Sequence, residues 1–113
     1  MTPRKVTGTV NFARNLEGLR DFHSEHPAAF ERAVAKLQDE VLPLLRKQPN
    51  LGRLYQRNPT APPIVERVKE RLGGGVLREF LVGEYVVLYL VGKKQLALIS
   101  IRHQRELEFN VGG

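Results

Sequence analysis

The feature that most limits how this chain can fold is a change of hydrophobic period at Val76. Between Leu16 and Leu72 apolar side chains recur mostly every three or four positions, whereas later they alternate or run in short apolar stretches. Three such stretches are separated by two short turns: 76–82, 85–91 and 96–103. Residues two apart lie on one face of a strand, and turns this short join antiparallel neighbours. The pattern therefore predicts a three-stranded antiparallel meander.

The two turns also predict which residues face one another. Gly83-Glu84 is a two-residue loop of the kind that puts glycine first, and it places Arg78 opposite Tyr89. The second turn, followed by regular pairing, places Arg102 opposite Tyr85. One extra residue in either strand would undo this register.

In this register one face of the meander is aliphatic and the other is polar and aromatic. The aliphatic face, which we expect to lie under the helices, comprises Leu77, Leu81, Val86, Leu88, Leu90, Ala97, Ile99 and Ile101. The other face, which we expect to be open, comprises Arg78, Phe80, Tyr85, Tyr89, Ser100 and Arg102. Two guanidinium groups beside two phenols can clamp a phosphate backbone and stack a base. Since tyrosine favours strands generally, ordinary half-buried tyrosines with solvated arginines are the alternative.

The three histidines give weaker signals. His103 falls on the helix side of the sheet in this register, where it is either a hydrogen-bonded structural residue or a catalytic base. His23 and His26 lie near a predicted helix end without a third ligand in view, so we expect no metal site. No cofactor motif accompanies them, and we expect no cofactor.

The first seventy-five residues predict one strand and three helices. The strand covers 5–12, and the helices cover 15–25, 28–47 and 64–72. Asn15 is the expected N-cap of the first helix, and Pro43 is expected to kink or end the second. We therefore expect a single α+β domain over residues 1–113. It has an N-terminal strand, a helical hairpin and the meander, with the helices packed on one face of the sheet.

Charge and composition restrict the partners of the chain. Eighteen Lys and Arg against twelve Asp and Glu give a net charge of +6 and a pI of about 10.1. A basic domain favours anionic partners such as nucleic acid or an acidic protein segment, although a basic surface also serves solubility. The sequence has no cysteine, no apolar run as long as a membrane span and no signal-peptide core. We therefore expect a cytoplasmic protein with no membrane partner.

Three short motifs resemble the RelE/ParE superfamily of bacterial toxins. They are the turn "PNLGR" (49–53), the strand pair "REFLVGEYVVLYLV" (78–91) and the terminal "ISIRHQRE" (99–106). The order of strand, helical hairpin and three-stranded meander is also that of the family. The resemblance extends over nearly the whole chain.

This resemblance implies the toxin of a type II toxin–antitoxin module, which arrests growth unless its cognate antitoxin is bound. RelE-like members cleave mRNA at the ribosome, whereas ParE-like members share the scaffold and poison DNA gyrase. The terminal H-x-R pattern, here His103 and Arg105, is common in the ParE-like branch. The segment 106–113 also has no tyrosine to exchange a proton. DNA gyrase is therefore the favoured target, with the ribosome and mRNA as the alternative.

The two targets imply different roles for the candidate residues. If the chain is a ribonuclease, the resemblance makes Arg78 and Arg102 the residues that stabilise charge and His103 the residue that moves a proton. If it acts by binding, the expected target-binding residues are Arg53, Arg57, Tyr85, Tyr89 and Arg105.

Overall fold

A five-stranded sheet with helices on both faces organises the chain. The computed structural model describes residues 4–22, 27–55 and 63–105. In chain order the elements are β1 (Lys5–Gly8), α1 (Val10–Phe22), α2 (Pro27–Lys36), a π-helical turn (Leu37–Val41), α3 (Leu42–Lys47), a 3-10 turn (Pro49–Leu51), β2 (Arg53–Leu54), α4 (Pro63–Leu72), β3 (Val76–Val82), β4 (Tyr85–Val91) and β5 (Gln95–His103). This combination of helices with a sheet confirms the α+β class.

The strand order across the sheet is β1-β5-β4-β3-β2. β1 runs parallel to β5, and the other neighbouring strands are antiparallel. β1 and β2 therefore form the two edges, and β4 lies at the centre. The short strand β2, which has no counterpart in the sequence prediction, pairs Arg53 with Glu79 and Leu54 with Arg78.

The hairpin between β3 and β4 follows the predicted register. Gly83 has a φ of 59°, a backbone conformation that costs little only for glycine, and Arg78 pairs with Tyr89. A glycine at the first loop position thus determines which residues of the two strands are opposite one another.

Pairing between β4 and β5 contains a β-bulge. Leu98 lies opposite Tyr89, but Ser100 lies opposite Leu88, so that Ile99 is an extra residue in β5. Such a bulge shifts every later pair by one position. The expectation of regular pairing beyond this point is therefore wrong.

The shift changes the surroundings of the last residues of β5. Arg102 pairs with Val86, and His103 takes the position opposite Tyr85 that we expected for Arg102. The predicted juxtaposition of Arg102 with Tyr85 as a cross-strand pair is wrong for the same reason.

The start of α1 provides hydrogen-bond donors for the carbonyl groups at the bulge. Thr9 Oγ1 donates to the Leu98 carbonyl at 2.9 Å, and Asn11 Nδ2 donates to the Ile99 carbonyl at 2.8 Å. Buried carbonyl groups need such partners. The bulge and the first turn of α1 thus stabilise each other.

Asn15 lies inside α1 and is not its N-cap. Its Oδ1 accepts hydrogen bonds from the Ser100 hydroxyl and from the Ile101 backbone N–H. The cap is Thr9, whose Oγ1 accepts a hydrogen bond from the Phe12 backbone N–H at 3.1 Å. The predicted boundaries are corrected accordingly, because β1 ends and α1 begins earlier than expected.

The predicted irregularity at Pro43 takes the form of the π-helical turn before it. Proline cannot donate a backbone hydrogen bond to Asp39. The turn instead closes with a bond from the Leu42 N–H to the Leu37 carbonyl. This widening changes the phase of α3, so that Leu45 is fully buried while the adjacent Leu44 is 41% exposed.

One face of the sheet packs against α1, α2, the π-helical turn and α3. This first core contains Phe12, Leu19, Phe30, Ala33, Leu37, Val41, Leu45, Val82, Tyr85, Val87, Tyr89, Leu96, Leu98 and Ile101. Tyr85 and Tyr89 are 1% and 0% exposed. The face that we expected to be open is therefore the one that the helical layer covers, and that expectation is wrong.

The opposite face is covered in part by α4. The second core there contains Val65, Val68, Leu88, Leu90, Ala97 and Ile99. Helices therefore pack on both faces, and the prediction of helices on one face only is wrong. Beyond α4, Leu81 on this face is 51% exposed. Within the described ranges, no helix has the length and apolar character needed to cross a membrane.

Candidate functional site

The candidate residues separate into two groups in the fold. The first, which we call the carboxyl-terminal cluster, comprises Glu84, Tyr85, Arg102, His103 and Arg105. The second, which we call the clamped turn, comprises residues 49–53 together with Arg78 and Tyr89. Arg57 lies outside the described residues, as do His23 and His26.

His103 is held by contacts on several sides. Its Nδ1 accepts a hydrogen bond from the Arg105 backbone N–H at 3.1 Å, and its Nε2 lies 3.6 Å from Glu84 Oε2. Its ring packs edge-on against Tyr85, with a centroid separation of 5.4 Å. A nitrogen that accepts from a backbone amide is not available to take a proton from a substrate.

Tyr85 connects the carboxyl-terminal cluster to the first core. Its ring packs edge-on against the Phe30 ring, with 5.8 Å between the ring centroids. The Arg20 guanidinium lies over the Phe30 ring, 5.9 Å from its centroid. Burial raises the pKa of the Tyr85 phenol above 10.0, and the nearby Glu84 carboxylate raises it further. The phenol is therefore protonated at neutral pH and buried among helix residues.

Arg102 is largely buried, although we expected it on an exposed strand end. The residue is 9% exposed, and its Nη1 donates to the carbonyls of His103 and Gln104 at 3.2 and 3.3 Å. These bonds turn the guanidinium back onto its own chain. Its placement fits a role in holding the end of β5.

Tyr89 fixes the clamped turn to the sheet. Its hydroxyl donates to the Pro49 carbonyl at 2.8 Å and accepts from the Gly52 N–H at 2.9 Å. Burial raises its pKa above 10.0, and this effect is partly offset by the Gly52 N–H and by the charge of Arg78. A buried phenol that satisfies two backbone groups is a structural element of this turn.

Arg78 and Gly52 complete the same arrangement. Arg78 Nη1 donates to the Gly52 carbonyl at 2.7 Å and to the Asn50 carbonyl at 3.3 Å. A Cβ at position 52 would lie 2.5 Å from the Tyr89 hydroxyl oxygen and 2.6 Å from the Glu79 carbonyl oxygen. Only glycine allows the turn to approach the sheet this closely.

The exposed part of this region forms a surface that we call the Arg53 edge, comprising Leu51, Arg53 and Leu81, which line one groove. Leu51 and Leu81 are 45% and 51% exposed, and the Arg53 side chain is 66% exposed. Arg53 forms an ion pair with Glu79 beside a shallow groove of about 250 Å³. Clustered exposed leucines beside an arginine are typical of protein-binding surfaces.

Sequence reasoning named Arg53 as a target-binding residue but missed the exposed leucines beside it, and it also missed the role of Asn15. Leu81 was expected on the covered aliphatic face because the partial cover by α4 could not be anticipated. Asn15 was recognisable as a capping residue type but not as the acceptor that faces the bulge. Among the described residues, no three His, Cys, Asp or Glu side chains are grouped so as to hold a metal ion.

Comparison of the sequence with models of known protein families finds no match. A search among curated proteins likewise finds no match.

Proposed function

We propose that this chain is the toxin of a type II toxin–antitoxin module, with a RelE/ParE-like fold, and that it arrests growth by binding DNA gyrase. The short motifs and the order of the elements support the family. The observation that carries the choice of mechanism is the burial of Tyr85 and Tyr89 together with the backbone bonds made by Arg78 and Arg102.

Cleavage of RNA needs groups that reach the substrate. A ribonuclease places proton-transfer groups and cations around the scissile phosphate. Here both tyrosines are in the first core, and both arginines donate Nη1 to carbonyl groups. His103 already accepts a backbone hydrogen bond at Nδ1. These contacts support an inhibitory binding protein more than a nuclease.

The Arg53 edge is the surface that we propose meets the target. Exposed apolar surface marks protein-interaction sites, and arginine is enriched among the residues that contribute most to binding. The antitoxin neutralises the toxin in this proposal by covering the same edge, because exposed apolar surface is what a folding partner segment buries.

A supercoiling assay with purified gyrase tests this proposal. Wild-type protein is expected to inhibit supercoiling and to leave translation by purified ribosomes unaffected. The double variant Arg53→Ala/Leu81→Ser is expected to be about ten- to a hundredfold less potent, since a charged contact contributes about 1.5–3 kcal/mol. Inhibited translation with cleaved mRNA, and unaffected gyrase, would overturn the choice of target.

A matched control uses a second exposed pair of the same residue types. Arg14 and Val10 lie on α1, and both are exposed. The variant Arg14→Ala/Val10→Ser changes the net charge and apolar surface by similar amounts and is expected to remain fully potent. Equal loss of potency in both double variants would contradict the assignment of the Arg53 edge.

The ribonuclease remains the second candidate because of one observation at the end of β5. The His103 Nε2 to Glu84 Oε2 distance there is 3.6 Å, and Arg102 Nη1 donates to the His103 backbone carbonyl at 3.2 Å. If RNA binding displaced the Arg105 N–H from Nδ1, this histidine would become a proton acceptor. His103→Gln would then abolish mRNA cleavage while leaving the fold intact.

A further inference from the structure

Six basic residues on three segments meet at the start of β1. We call them the amino-terminal basic cluster: Arg4, Lys5, Arg46, Lys47, Lys93 and Lys94. All except Arg4, which is partly buried, are exposed. None belongs to the candidate residues described above, and the cluster lies at the edge of the sheet opposite to β2.

Backbone contacts bring these segments together. The Arg4 N–H donates to the Arg46 carbonyl at 3.0 Å, and Arg46 Nε donates to the Arg4 carbonyl at 2.9 Å. The Lys5 N–H donates to the Lys94 carbonyl at 3.3 Å. Lys5 and Arg46 also border the same groove, of about 420 Å³. Arg4, Lys5, Arg46 and Lys94 therefore meet at this edge, and Lys47 and Lys93 are their exposed neighbours along the chain.

The cluster lacks acidic counterparts. Residues 1–10, 42–50 and 91–95, which carry it, contain no Asp or Glu. In the part of the chain that the structure describes, none of its six cations forms an ion pair with a carboxylate. Asp39 and Glu40, in the preceding π-helical turn, are exposed and form no ion pair there either. Like charges held this close repel one another, so an anion that spans them gains from relieving the repulsion.

The density of charge points to nucleic acid. Cations from three segments meet here with no acidic residue in those segments, so a polyanion that contacts several of them at once is favoured. Duplex DNA carries one charge per ~1.7 Å of its axis. We propose that the amino-terminal basic cluster binds the phosphate backbone of nucleic acid. This inference does not rest on the proposed function.

Fluorescence anisotropy with labelled duplexes of arbitrary sequence tests the inference. The full chain is titrated against a DNA duplex and an RNA duplex, each over a range of salt concentrations, with poly-glutamate as a third ligand. The DNA and RNA arms identify the source of the phosphate. The cluster variant is Lys5→Gln/Arg46→Gln/Lys93→Gln/Lys94→Gln. The charge-matched control is Arg14→Gln/Arg32→Gln/Arg67→Gln/Arg71→Gln, whose four positions are all exposed.

The wild-type chain and the control variant are expected to bind at least one duplex with a steep dependence on salt. In the cluster variant, binding is expected to weaken about tenfold or more. The slope of log K against log salt is expected to fall by about 0.9 for each phosphate of a DNA duplex that the variant no longer neutralises. Equal weakening in both variants, or binding of poly-glutamate alone, would overturn the inference. If the quadruple variant does not fold, Lys93→Gln/Lys94→Gln in the exposed loop gives the same comparison.

Discussion

The two faces of the central sheet carry similar amounts of apolar side chain but differ in their cover. Towards α1, α2 and α3, the face buries Tyr85 and Tyr89 completely, and the Tyr89 hydroxyl is satisfied by backbone groups of the clamped turn. Towards α4, the face buries aliphatic residues such as Leu88 but leaves Leu81 half exposed. The phenols of Tyr85 and Tyr89 are thus buried, whereas Leu81 is exposed.

This difference shows that polarity alone does not decide which face of a strand is covered. A phenol is buried at little cost when its hydroxyl finds partners, as the Tyr89 hydroxyl does with Pro49 and Gly52. An aliphatic side chain stays exposed when the covering helix is too short to reach it. The faces are distinguished by the helices that pack on them.

Truncating one residue on each face is the strongest challenge to this contrast. Tyr85→Ala is expected to lower the free energy of unfolding by about 3–5 kcal/mol, because it opens a cavity in the first core. Leu81→Ala, its control on the other face, is expected to change that free energy by only about 0.5 kcal/mol. Chemical denaturation measures both. A larger loss for Leu81→Ala than for Tyr85→Ala would reverse the assignment of the faces.

A second substitution tests how the covered face accommodates a polar group. Tyr89→Phe keeps the ring but removes the hydroxyl that pairs with Pro49 and Gly52. The free energy of unfolding is expected to fall by about 1–3 kcal/mol, because two buried backbone groups lose their partner. The same denaturation experiment measures the loss, and Tyr55→Phe is the control. An unchanged stability would mean that the turn is not clamped through this hydroxyl.

Much of the strand pairing was predictable because it depends on local turn chemistry. Gly83 fixed the β3–β4 register, and the pairing of Arg78 with Tyr89 followed from it. The bulge at Ile99 was not predictable, since its donors, Thr9 and Asn11, lie about ninety residues away in the chain. Hydrogen bonds of that kind are set by the packing of α1 and leave no local pattern in β5.

The bulge determines on which face of the sheet the side chains of the last β5 residues lie. One set of hydrogen bonds between α1 and β5 beside the bulge can be removed by mutation. Asn15→Ala eliminates the acceptor for the Ser100 hydroxyl and the Ile101 N–H. The free energy of unfolding is expected to fall by about 1 kcal/mol. Hydrogen exchange at Ile101 is expected to accelerate relative to wild type, whereas Arg14→Ala should leave that exchange unchanged. Slow exchange at Ile101 in Asn15→Ala would show that the Asn15 side chain does not hold the Ile101 N–H.

The candidate site was less predictable than the fold, and the reasons are physical. One inserted residue moved Arg102 away from its place opposite Tyr85 and gave that place to His103. His103 was expected on the aliphatic face, and the bulge places it on the face of Tyr85 instead. Sequence reasoning named Arg53 but found no signal for the exposed leucines beside it, because the exposure of Leu81 depends on how far α4 extends over the sheet.

The weakest effect that we expect is a dependence of stability on pH. Burial raises the pKa of Tyr85 and Tyr89 in the folded state above 10.0. Below that pH both phenols are protonated in the folded and unfolded chains, so they do not make the free energy of unfolding depend on pH. As pH rises above 10, the unfolded chain releases these protons first, so the free energy of unfolding falls. In the double variant Tyr85→Phe/Tyr89→Phe, the free energy of unfolding is expected to decline less above pH 10. An identical decline in the variant would show that other groups cause it.

Titration of the phenols is the decisive check that the tyrosine face of the sheet is the buried one. The chain has three tyrosines, so the variant Tyr55→Phe retains only Tyr85 and Tyr89. Phenolate absorbance of the folded variant is expected to appear only at pH values clearly above 10.0 and to rise with the unfolding transition. Titration of both phenols at 10.0, while the chain remains folded, would show that they face solvent and would contradict this assignment of the two faces.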